Sequence, residues 1–148
     1  MNETEKEALL QMVIEQFIPF NQMLGIRYVP GNPLLVSIEN RPELVGNERR
    51  KMLHGGVIAT LLDVAGGMAI LKNFLDTNDV HSRADMAEKM VRVATIDLRV
   101  DYLRPGIGER FTAKAEIIRP GKRVTVTRME LHNEEDVLLA LGTGTYAV

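Results

Sequence analysis

His54–Gly67 reads HGGVIATLLDVAGG. Small and apolar residues fill it, as they would a helix packed inside a protein core. Two features do not belong to a plain core helix. A Gly-Gly pair stands where the helix starts, and one carboxylate, Asp63, sits in its middle. Val57, Ile58, Leu61, Leu62, Val64, Ala65, Ala69 and Ile70 fall on all sides of the helical wheel, and the pattern runs on towards Phe74. A helix apolar all round must be covered all round. A buried carboxylate without a partner is costly, so Asp63 calls for a reason beyond packing.

Downstream of this helix the hydrophobic period changes. Leu75–Arg92 is polar and charged and predicts a helix end, a loop and a second short helical piece. In VATIDLRVDYLRPG the residues Ile96, Leu98, Val100 and Tyr102 alternate with Thr95, Asp97, Arg99 and Asp101, which is a half-buried strand. Phe111, Ala113, Ala115 and Ile117 mark the next strand, which ends at Pro120-Gly121. KRVTVTRMELHN and VLLALGTGTYAV supply two more, joined at Asn133–Asp136. Val124 and Val126 are out of phase with Met129 and Leu131, which predicts a bulge or a strand covered on both faces.

Upstream, Leu9, Leu10, Val13, Ile14, Phe17 and Ile18 have helical spacing and predict an amphipathic helix over Thr4–Asn21, ending near Pro19. Gly31-Asn32 reads as a turn between two extended runs, and Arg41–Leu53 as an irregular polar loop. Short connections after the long helix imply a largely antiparallel sheet, hence an α+β protein. The simplest cover for the helix is a strongly curved sheet closed by a second subunit.

The bulk numbers agree with one domain spanning residues 1–148. With 45% hydrophobic and 26% charged residues there is material for one core. A net charge of −2 gives no general basic character for nucleic acid or an anionic membrane. There is no cysteine, so disulfides, thiolate nucleophiles and Cys-based metal sites are excluded. The longest apolar run, Gly55–Leu71, is interrupted by Asp63 and predicts no membrane span. The acidic N-terminus lacks a basic signal-peptide region, so a cytoplasmic protein is expected.

LHGGVIATLLDVAGG, then TIDLRVDYLRPG, then RPGKRV: this combination resembles the hotdog-fold acyl-CoA thioesterases, closest to the phenylacetate-degradation (PaaI-like) type. The resemblance covers about residues 24–148 and leaves out the N-terminal helix, residues 1–21. It implies a curved antiparallel sheet around one long helix, a homodimer or a dimer of dimers, an acyl-CoA substrate and no cofactor or metal.

Each site residue has its own chemistry. Gly55 and Gly56 open the helix, where unpaired N–H groups and about half a positive charge face outward. Glycine lets a thioester carbonyl come close to those groups, which would stabilise its oxyanion. The resemblance places Asp63 opposite them across the dimer interface, as base or as nucleophile. It gives His54 a role in orienting the loop or touching the thioester. It gives Asn47 a role in holding the water or the carbonyl, with Glu48 one place nearer His54. Thr95 matches a position that holds the attacking water. Arg104, Lys122 and Arg123 suit the phosphates of coenzyme A. The eight methionines make a soft core that could line an acyl tunnel.

Two other functions compete. A hotdog hydratase or dehydratase would pair a catalytic His with an acid in another arrangement and change a double bond instead of releasing thiol. A non-catalytic acyl-CoA sensor would lack the helix acid, which this chain keeps.

Overall fold

The computed structural model describes all residues, Met1–Val148. Four helices form: α1 Glu3–Met12, α2 Pro19–Leu24, α3 Gly55–Asp76 and α4 Arg83–Arg92. Eight strands form: β1 Arg27–Val29, β2 Leu34–Glu39, β3 Val45–Asn47, β4 Met52–Leu53, β5 Ala94–Tyr102, β6 Arg110–Arg119, β7 Val124–Asn133 and β8 Leu138–Ala147. Six of the strands make one sheet in the order β1-β2-β6-β7-β8-β5, and every neighbouring pair is antiparallel. α3 packs against five of the six, from β2 across to β5. The expected α+β architecture, one long helix wrapped by an antiparallel sheet, is what the chain adopts.

α3 is long enough by length and hydropathy to cross a bilayer, but it is mostly sheathed by protein. Leu61 and Leu62 are fully buried. Truncating either to Ala is expected to destabilise the fold by roughly 2–5 kcal/mol, read as a lower urea midpoint with unchanged slope. The cover is incomplete along one line. Gly56, Thr60, Asp63 and Val64 follow one another at spacings of four, three and one, on a stripe that the chain's own sheet leaves partly open.

The N-terminal helix differs from expectation in its middle. A capping box starts α1: the Asn2 carboxamide oxygen accepts the Glu5 N–H at 2.9 Å and Glu5 accepts the Asn2 N–H at 2.8 Å. Val13–Phe17 then widens into a π-turn. The helix ends next to Pro19 as expected, with Ile18 extended, and Pro19 then opens α2 at its first position, where the missing N–H costs nothing. The buried Asn21 amide donates to the Ile14 carbonyl at 3.0 Å and so ties the two pieces together across the wide turn. Leu9, Leu10, Val13 and Ile14 join the same core as α3.

Three further corrections concern strands. Arg41–Leu53 is not an irregular loop: it holds a 3-10 turn at Pro42–Leu44 and the small hairpin β3–β4. The His54 N–H donates to the Leu44 carbonyl at 2.8 Å, and the Leu53 N–H donates to the Gly106 carbonyl at 2.8 Å, so the hairpin is tied to both flanks. In β7 the inner face is Thr125, Thr127, Met129 and Leu131 without interruption, and Val124 and Val126 lie half-buried on the other face. The bulge belongs to the neighbouring strand β6, between Ile117 and Arg119. In β5 the register slips between Thr95 and Asp97. Thr95 therefore leaves the polar face it was assigned by strict alternation and joins Leu98 and Val100 on the helix side.

Candidate active site

The start of α3 is built around His54. Its Nδ1 accepts the Gly56 N–H at 2.8 Å, so the imidazole is the helix N-cap and carries its proton on Nε2. A side chain on Gly46 would run into His54, so that glycine is what lets the β3–β4 hairpin lie against the ring. Because Gly56 is capped, the unpaired donor at this end of the helix is the Gly55 N–H. The Gly55 carbonyl accepts the Tyr102 hydroxyl at 2.9 Å. Replacing His54 by Ala is expected to cost about 0.5–2 kcal/mol of stability, and Asn, a good cap, to recover most of it in the same thermal melt.

Asp63 sits eight positions further along α3, on the incompletely covered stripe. It is partly exposed, not buried as its apolar neighbours suggested, and it is not unpartnered. Its Oδ1 accepts the Thr95 hydroxyl at 2.9 Å and the Tyr146 hydroxyl at 3.1 Å. The Tyr146 hydroxyl also lies 3.1 Å from the Asp63 carbonyl. Its Oδ2 has no partner within the chain. Burial, and then the adjacent Asp63 carboxylate, push the Tyr146 phenol far above its ordinary value, so it stays protonated and a donor.

Gly55 and Asp63 lie about 12 Å apart along the helix axis. Both are flanked by β5: Tyr102, at its end, meets Gly55, and Thr95, at its start, meets Asp63. β5 is an edge strand. Ile96 and Tyr102 on it and Leu103 just beyond it are 58%, 54% and 46% exposed.

The remaining expected residues scatter. The Asn47 side chain accepts the Arg50 N–H at 3.1 Å and closes the tip of the β3–β4 hairpin. Glu48 lines a cavity of about 750 Å³ with Arg41, Lys51 and Ile107. Arg104 donates to the Leu138 carbonyl at 2.8 Å, at the start of β8. Lys122 and Arg123 are in the β6–β7 turn, where the Arg123 carbonyl accepts the Val148 N–H at the far end of β8. One chain therefore does not bring Arg104 together with Lys122 and Arg123. Tyr146 and Tyr102 were missed as site residues. The signal for Tyr146 was the GTGTY ending, in which Gly142 and Gly144 clear the inner face of β8 in front of a large ring.

An antiparallel sheet packed around one long helix is the frame of the hotdog fold. Residues 51–140 match the model of the thioesterase superfamily, and the chain belongs to that family of thioester hydrolases. It is 45% identical to the medium/long-chain acyl-CoA thioesterase YigI of Escherichia coli K12, over 96% of this chain and 95% of that one. A crystal structure of a Shewanella oneidensis protein related to the thioesterase superfamily superposes with a TM-score of 0.88 at 41% identity, covering 100% and 99% of the two chains. The Escherichia coli PaaI protein of the phenylacetic acid degradation operon shares the fold, with a TM-score of 0.76 at 19% identity over 99% and 95% of the chains.

Proposed function

We propose that this chain hydrolyses medium- to long-chain acyl-CoA to the free acid and coenzyme A, in two equivalent sites shared by a two-fold pair of chains. The substrate class follows the YigI relative, which matches this chain over almost its whole length. That relative points to an aliphatic acyl chain.

One observation carries the shared site. A reacting carbonyl must lie about 3 Å from both the oxyanion donor and the attacking group, and about 12 Å of helix separates Gly55 from Asp63. A second copy supplies the missing half. β5 lies open along its length, and antiparallel pairing with its own copy sets the Thr95 end of one strand beside the Tyr102 end of the other. Asp63 of one chain then faces Gly55 of the second. The same rotation brings Arg104 of the second copy towards Lys122 and Arg123, at one end of the paired sheet.

The chemistry follows from what each group can do. The thioester oxygen lies against the Gly55 N–H at the positive end of α3, which polarises the carbonyl. Thr95 and Tyr146 hold Oδ1, so Oδ2 takes a proton from water as that water adds to the carbonyl carbon. Collapse of the tetrahedral intermediate breaks the C–S bond, and the leaving thiolate recovers the proton from Asp63. His54 sets the helix start and the hairpin that carries Asn47.

A thiol-release assay across an acyl-CoA series tests this reading. Free thiol in stoichiometric amount with free acid, highest for medium or long chains, is expected; a change in double-bond absorbance without thiol would establish the hydratase instead. Removing charge at Arg104, Lys122 and Arg123 together is expected to raise KM for acyl-CoA about tenfold or more. A pantetheine thioester that lacks the nucleotide should be affected far less. Equal effects on both substrates would place these side chains away from coenzyme A.

A further inference from the structure

We infer that Tyr146 is a positioning residue for the hydrolysis: its hydroxyl, with Thr95, clamps Asp63 Oδ1 so that Oδ2 alone is turned to the reaction. The inference rests on the reading of Asp63 above and adds a residue that never meets substrate, since Tyr146 is only 1% exposed.

The surroundings of the ring are shaped for its hydroxyl. A Cβ on Gly66 would overlap the Tyr146 oxygen and crowd Thr127 Oγ1, and one on Gly144 would strike the same ring. Three positions on two elements thus make a slot, with Gly66 on α3 and Gly144 and Tyr146 on β8. The slot brings the phenol oxygen within 3.1 Å of the carboxylate and of the Asp63 carbonyl. A core tyrosine without such a role needs a single hydrogen bond to satisfy its hydroxyl. Here the one O–H proton is shared between the backbone carbonyl and Oδ1 of the same residue, which ties the carboxyl rotamer to α3. Thr95 completes the clamp from β5, and only because the β5 bulge turns it inward. Two donors on Oδ1 leave Oδ2 as the one open oxygen, on the helix stripe the chain does not cover. A carboxylate released from the clamp would rotate, and misplacement by about 1 Å can cost orders of magnitude in rate.

The test compares Tyr146→Phe, Asp63→Asn and the double variant, with octanoyl-CoA as substrate and thiol release as readout. Tyr146→Phe is expected to lower kcat about tenfold with KM within about twofold, because the ring stays and only the clamp is lost. In the Asp63→Asn background the same change should alter the residual kcat less than about twofold, since nothing is left to position. A melting temperature within a few degrees of the parent would show that Tyr146→Phe is folded. Gly66→Ala is an independent probe that keeps the hydroxyl but pushes it aside, and a similar kcat loss is expected. Normal kcat in Tyr146→Phe while Asp63→Asn is inactive would overturn the clamp and leave the Asp63 reading intact. The same fractional loss in both backgrounds would also overturn it, marking Tyr146 as structural. Near-normal turnover by Asp63→Asn would instead remove the reading on which the clamp depends.

Discussion

Asp63→Asn is expected to abolish most turnover while leaving the fold in place. Asn keeps the size of Asp, and its carboxamide oxygen can still accept the Thr95 and Tyr146 hydroxyls that now reach Oδ1. What it loses is the open oxygen that takes a proton. Removing a positioned general base lowers kcat about a hundredfold or more. KM should change little, because Asp63 is not among the groups that meet coenzyme A. Thiol release by the purified variant, with circular dichroism to verify folding, checks both halves. Turnover within a few-fold of the parent would mean that another group handles the proton.

The second large effect is complementation between two inactive chains. Gly55→Val puts a β-branched side chain where the thioester carbonyl must approach, against the Tyr102 ring that already lies 3.4 Å from a Cβ built on Gly55. Homodimers of Gly55→Val and of Asp63→Asn should each retain about 1% of activity or less. Unfolded and refolded together in equal amounts, half of the pairs are mixed. Each mixed pair holds one intact site and one doubly damaged site, so recovery to about a quarter of parental activity is expected. Native mass spectrometry verifies that mixed pairs form. Mixed pairs without recovery would show that Gly55 and Asp63 of a single chain work together, against the 12 Å estimated from helix rise.

Much of this was legible along the chain, for local reasons. The apolar wheel of Val57–Ile70 forced a helix covered on most sides, and the alternation in β5 and β6 forced strands, because periods of 3.6 and 2 leave their mark on every few residues. Asp63 and Gly55 stood out because a carboxylate and a glycine pair are poor choices for a plain core helix. Expectation failed where one residue's backbone changes what its neighbours face. The slip between Thr95 and Asp97 cannot be read from alternating letters, yet it alone carries Thr95 from the solvent side to Asp63. Two threonines took the inner face of β7 in place of two valines because the register of the whole sheet, pinned by Met129 and Leu131, outweighs the preference of Val124 and Val126 for burial.

The sequence by itself determined the long helices and the four long strands, the carboxylate of the central helix and its glycine start, since each is written in residues within a few positions of one another. The tertiary structure alone decided which groups meet. Tyr146 reaches Asp63 across 83 positions of chain, and Tyr102 reaches Gly55 across 47. Such contacts depend on strand order and register, which are fixed by the packing of the entire sheet on α3. For His54 the sequence left open whether it orients the loop or touches the thioester, and its role as helix cap comes only from the Gly56 N–H on its Nδ1. Hydrogen-bond direction is a property of positions in space, and no spacing of letters encodes it.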